Sequence, residues 1–167
     1  LLKVKVEDPA AFRFIINEDI YLLPHDKGLQ SKKVVKVAET VPFSFNYEGK
    51  NRKKFLILTH YPDYEAIYAP HFTALEAILS RKGYEPDDVA ILNMAKNDAD
   101  IDTLTKHFTP QKLLILGQKA VPAGMTAPEF NYLQALTDCN TLLSFSFDDM
   151  MENTDNKRAF WEQMKNL

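Results

Sequence analysis

From Phe55 onward the chain alternates short, uninterrupted apolar runs with stretches of helical periodicity, a pattern that few folds accept. Phe55-Leu56-Ile57-Leu58-Thr59, Val89-Ala90-Ile91-Leu92-Asn93, Leu113-Leu114-Ile115-Leu116-Gly117 and Leu142-Leu143-Ser144-Phe145 each read as a strand buried on both faces. Between the first two, Phe72, Leu75, Ile78 and Leu79 recur at helical spacing, and Gly83 stands where a C-terminal cap belongs. Ile101, Leu104 and Phe108 predict a short second helix that Pro110 stops. Phe130, Leu133 and Leu136 predict another over 128–136, and Phe160, Trp161 and Met164 a closing helix over about 154–164. Helices of this length between strands imply right-handed crossovers. The expected fold is therefore three-layer α/β, Rossmann-like, with a mainly parallel sheet of about four strands and flanking helices.

Residues 1–50 follow a different pattern. Phe12 to Ile16 and Ile20 to Leu23 are apolar, and Asn17-Glu18-Asp19 between them reads as a hairpin turn. Val34 to Val37 and Val41 to Phe45 suggest two more short strands, and 49–54 a polar, basic linker. The expected organisation is an extended or β-rich N-terminal arm over 1–50 and an α/β domain over 51–167. With 167 residues, such a chain buries enough surface to fold without disulfides or metal. The single Cys139 forms no intrachain disulfide and fits a reducing compartment. No apolar run reaches the length of a membrane span, and the start, LLKVKVEDPAAF, has no signal-peptide core. A cytoplasmic protein is expected. The chain also lacks an initiator methionine, so residues are expected to precede Leu1.

Few residues suggest chemistry. With only 5 Gly the chain contains neither GxGxxG nor GxxxxGK[ST], so a phosphate loop is not expected. His60 ends the first strand and His71 opens the helix after it, with Asp63 and Glu65 nearby, at the sheet edge where α/β proteins bind ligands. Their spacing matches no metal motif, and capping or exposed loop roles are the commoner ones. Gly117 and Gln118 follow the third strand, where a turn is the plainer reading. Cys139 reads as a small packing residue, and the adjacent Asp138 disfavours its thiolate. Asp98, Asp100 and Asp102 lack the Gly and Glu of a calcium loop and instead suit a helix start. No GxSxG elbow occurs, and no catalytic group, metal or cofactor is expected.

The cluster Lys50, Arg52, Lys53 and Lys54, with Lys32, Lys33 and Lys36 upstream, is the local positive signal, read as a solvated linker rather than a nucleic-acid grip. The 20 Lys+Arg against 23 Asp+Glu give a formal charge of −3, so any link to nucleic acid is expected to run through another protein. The arm is rich in aromatics, Phe12, Phe14, Tyr21, Phe43, Phe45 and Tyr47. Such residues serve their own core or anchor a partner.

The C-terminal two-thirds, roughly 54–165, resembles the psi subunit of the bacterial DNA polymerase III holoenzyme. The segments that carry the likeness are KFLILTHYPDY (Lys54–Tyr64), PHFTALEAILSRKGYEPDDVAILN (Pro70–Asn93), LLILGQ (Leu113–Gln118) and LLSFSFDDMMENTDNKRAFWEQM (Leu142–Met164). The most specific piece is the ending with Arg158, Phe160 and Trp161. The resemblance implies a non-enzymatic adaptor that links the clamp loader to the chi subunit and so to the single-stranded DNA-binding protein. In that reading Phe12, Phe14, Ile15, Tyr21 and Leu22 of the arm are the partner-binding candidates, and a helix face of the core holds a second partner. The alternative is an enzyme acting on a nucleotide or nucleic acid at the carboxyl edge of the sheet, around His60, Asp63, His71, Gly117 and Gln118.

Overall fold

The computed structural model describes residues 44–136 and 139–167. Six strands form one sheet: β1 (Tyr47–Gly49), β2 (Phe55–Thr59), β3 (Val89–Asn93), β4 (Lys112–Leu116), β5 (Leu133–Leu136) and β6 (Cys139–Ser144). Among the described residues four α-helices accompany it: α1 (Ala69–Arg81), α2 (Ile101–Phe108), α3 (Phe147–Glu152) and α4 (Thr154–Met164). The strand order is β1-β3-β2-β4-β6-β5. β3, β2, β4 and β6 pair in parallel, while β1 and β5 lie antiparallel at the two edges.

The four apolar runs are thus the four inner strands, and the fold is mixed α/β. The expected mainly parallel sheet of about four strands is corrected to a mixed sheet of six. Tyr47-Glu48-Gly49 is too short to display an alternation, and its pairing with β3 (Tyr47 opposite Leu92) is a long-range event. Leu133 and Leu136 fit helical spacing, yet Leu133–Leu136 pairs with β6, Leu133 opposite Leu142. Phe130 makes a bridge to Leu143, and the Asn131 amide donates to the Leu143 carbonyl at 2.6 Å. A strand partner here overrides a weak local periodicity.

Alternation along β2 sorts its side chains onto two apolar layers. Phe55 and Ile57 pack with Leu75 and Leu79 of α1, Phe147 and Met150 of α3, and Phe160 and Met164 of α4. Leu56 and Leu58 pack on the opposite face with Leu104 and Phe108 of α2. Strands covered on both faces carry no polar side, which is why they read as continuous apolar runs. Phe45 is buried in the second layer, its ring 5.3 Å from Phe108. Residues 44–50 of the expected arm therefore contribute a buried ring and a strand to the α/β domain. The arm candidates Phe12, Phe14, Ile15, Tyr21 and Leu22 lie outside the described residues.

Local signals set the helix ends. Asp100 caps α2, its Oδ1 accepting from the Thr103 amide at 2.7 Å. Ser146 and Asp149 form a reciprocal capping box at the start of α3. Asn153 caps α4, accepting from the Asp155 amide at 2.8 Å.

Candidate functional site

The chain passes from β2 to β3 on one side and then to β4 on the other side of β2. Loops leaving the carboxyl ends of β2 and β4 diverge at such a reversal and open a crevice. A cleft of about 540 Å³ sits there. His60 and Pro62 line it after β2, Gly117, Gln118 and Lys119 after β4, and Ser146, Asp148 and Asp149 after β6. Phe130 forms part of its wall and is 40% exposed. Gly117 adopts φ +90°, and a Cβ there would come within 3.2 Å of the Ser146 Cβ.

Of the five residues expected at this edge, His60, Gly117 and Gln118 converge on the cleft, while Asp63 and His71 do not line it. Asp63 is exposed. His71, in the first turn of α1, is buried and serves packing. Its Nδ1 shares a 2.9 Å hydrogen bond with the Tyr61 hydroxyl, its ring stacks on Phe147 at 5.3 Å, and its Nε2 lies 4.0 Å from Asp148 Oδ1. Burial, with the Asp148 charge second, pushes the Tyr61 hydroxyl well above its usual range.

Asn93 shapes the rim of this edge. Its Nδ2 donates to the carbonyls of Tyr61 and Tyr64 at 2.9 and 2.8 Å, and its Oδ1 accepts from the Tyr61 amide at 2.9 Å. One buried amide at the end of β3 thus fixes the loop that follows β2. The strand reading already covered Asn93, but nothing local marks its side chain as the organiser.

Three cations of the basic linker are held by carboxylates. Lys50 and Arg52 reach Asp87 at 2.7 and 3.3 Å, and Lys53 reaches Asp88 at 2.7 Å. The Asn51, Arg52 and Lys53 amides also bond to the carbonyls of Val89, Asp87 and Asp88. The cluster fastens the β1–β2 connection to the turn before β3. Burial raises the Cys139 thiol, which keeps it protonated.

A second concavity lies between α1 and the α3–α4 pair, with a volume of about 310 Å³. Ala74, Ala77 and Ile78 supply one wall, and Met150, Met151, Phe160 and Trp161 the other. Phe160 is buried, Trp161 is half-buried and Met151 is 46% exposed. Arg81 stands 5.9 Å above the Trp161 ring, and Lys157 joins it at the rim. Arg158, the third motif residue, is exposed and pairs with Asp155 at 3.8 Å instead of lining the groove. Sequence reasoning missed this groove because it missed α3; the Ser146–Asp149 capping box was the available signal.

Among the described residues no group of three or more His, Cys, Asp or Glu side chains is arranged to hold a metal ion. Among them, too, no helix is long and apolar enough to cross a membrane. No protein-family model matches the chain, and no curated protein matches it.

Proposed function

We propose that this chain is a non-enzymatic adaptor, similar to the psi subunit of the bacterial replicative polymerase, that links a clamp loader to a chi-like subunit. The observation that carries the reading is the apolar groove between α1 and α3–α4, whose wall includes Phe160 and Trp161 of the psi-like ending. An adaptor works by binding energy alone, and open apolar grooves rimmed by polar groups are where such energy is gained. The Rossmann-like character of the domain belongs to the same proposal. It is supported by the parallel order β3-β2-β4-β6 with helices on both faces. Contact with nucleic acid would be indirect, and the place of work would be the cytoplasm. The test is a pull-down of clamp-loader and chi-like subunits with the full chain. Retention of both supports the adaptor; retention of neither overturns it.

A second reading is an enzyme acting on a nucleotide or nucleic acid, favoured by the convergence of His60, Gly117 and Gln118 on the crevice between β2 and β4. A nucleotide titration followed by thermal unfolding separates the two. A stabilisation lost in Gly117→Val supports this reading, and no shift with any nucleoside phosphate rejects it.

A further inference from the structure

We propose that the groove between α1 and α3–α4 receives an acidic, amphipathic helix from a partner protein. The inference rests on the adaptor reading and names the chemistry of what docks. Ala74, Ala77 and Ile78 stand at i, i+3 and i+4 along α1, a stripe that faces the groove. Met150 and Met151 supply soft, adaptable side chains on the other wall, and Trp161 a broad ring. Small residues on one wall and flexible ones on the other admit the apolar stripe of a helix. No backbone edge is offered there for strand addition, so the helix-in-groove mode is the one that fits.

The charge of the rim selects the partner. Among the described residues Arg81 and Lys157 are the charged ones that line the groove, and no acidic one does. The chain as a whole carries a formal charge of −3, so this is a local reversal of sign. Neither cation takes part in an ion pair among the described residues, a state they share with Lys54, Lys82, Lys106, Lys112 and Lys119. Carboxylates flanking a partner's apolar stripe would meet both. A second copy of this chain is the poorer occupant, because a two-fold interface would bring the same cations of both copies together.

Trp161 is the single tryptophan, so its emission reports on the groove. The experiment titrates the full chain with two designed peptides of about fifteen residues, long enough to hold a helix once docked. Both carry Leu at i, i+3, i+4, i+7 and i+11; one has Glu on the flanks and the other Lys. The expected result is a blue shift of Trp161 with the Glu peptide and binding weaker by about tenfold with the Lys peptide. The paired reversal Arg81→Glu with Lys157→Glu should invert that preference, and Ala77→Arg, at an exposed position, should abolish binding of both. A far-ultraviolet spectrum unchanged by each substitution shows that the fold survives. Equal binding of the two peptides, or binding of neither, overturns the proposal. So does a concentration-dependent dimer that Ala77→Arg dissociates, which assigns the groove to a second copy. The peptides involve no clamp-loader subunit, so failure here and failure of the adaptor reading are separate outcomes.

Discussion

At the scale of single residues, Gly49 ends β1 with φ +89°, and a Cβ there would lie 2.2 Å from the Val89 carbonyl oxygen and 2.6 Å from that of Pro86. Both obstacles are backbone, so nothing flexible can give way. Gly49→Ala should destabilise the protein by about 3 kcal/mol in urea unfolding. Gly83 has φ +74° with nothing within 4 Å, so Gly83→Ala should cost only about 1 kcal/mol for the strained backbone. The difference between the two measures the clash alone. Tyr61 gives a pH signature. Its hydroxyl titrates higher folded than unfolded, so between those values the folded state holds the extra proton and stability falls as pH rises from about 10. Tyr61→Phe should flatten that alkaline decline while losing about 1 kcal/mol at neutral pH with the hydrogen bond to His71. Urea midpoints taken across pH 8–11 for both proteins check the sign.

At the scale of elements, α3 decides whether the groove exists. It is only six residues long and carries Phe147 and Met150 into the apolar layer shared with α1 and α4. So short a helix gains little from propensity and depends on its cap and its packing. The Ser146 hydroxyl accepts from the Asp149 amide at 3.2 Å and donates to Asp149 Oδ2 at 2.7 Å. Ser146→Ala should cost about 1 kcal/mol of stability in urea unfolding. It should also weaken the Glu peptide, because Met150 and Met151 ride on this helix. A loss of stability with unchanged peptide binding would separate α3 from the groove. The edge strands follow a similar logic. β1 and β5 exist because β3 and β6 present open edges, not because their own residues insist on extension.

At the scale of the whole molecule, several charges fasten one element to another. Asp87, Asp88 and Asp100 all titrate below the usual aspartate range. The cause is chiefly the Lys50 hydrogen bond for Asp87, the Glu85 amide and then Lys53 for Asp88, and the Thr103 hydroxyl and amide for Asp100. A carboxyl depressed in the folded state stabilises above its unfolded value near 3.9 and loses that contribution as pH falls through its folded value. Stability should therefore decline below about pH 4. Asp100→Asn should make the acid limb shallower, as read from Trp161 emission during urea unfolding. An acid limb identical in the variant would remove Asp100 from the account. The same fastening appears in the basic cluster 50–54, a nucleic-acid candidate by composition whose Lys50, Arg52 and Lys53 are taken by Asp87 and Asp88.

The sequence by itself determined the four inner strands, though not their order, and three of the helices. Phe55–Thr59 and Val89–Asn93 were legible to the residue, because strands buried on both faces must be apolar throughout. Thr154–Met164 was legible because Phe160, Trp161 and Met164 mark one helical face. Only the tertiary structure decided the rest. It turned Leu133–Leu136 from a helical spacing into a strand by supplying β6, and it set Tyr47–Gly49 beside β3. It drew His60, Gly117 and Gln118 into one crevice and turned His71 away into packing. It also raised a groove from Ala74 and Ala77 on one helix and Met150 and Met151 on another, more than seventy positions along the chain. Burial on both faces is written in each residue's own character, whereas edges, clefts and grooves are made by partners distant in sequence, and no local pattern records them.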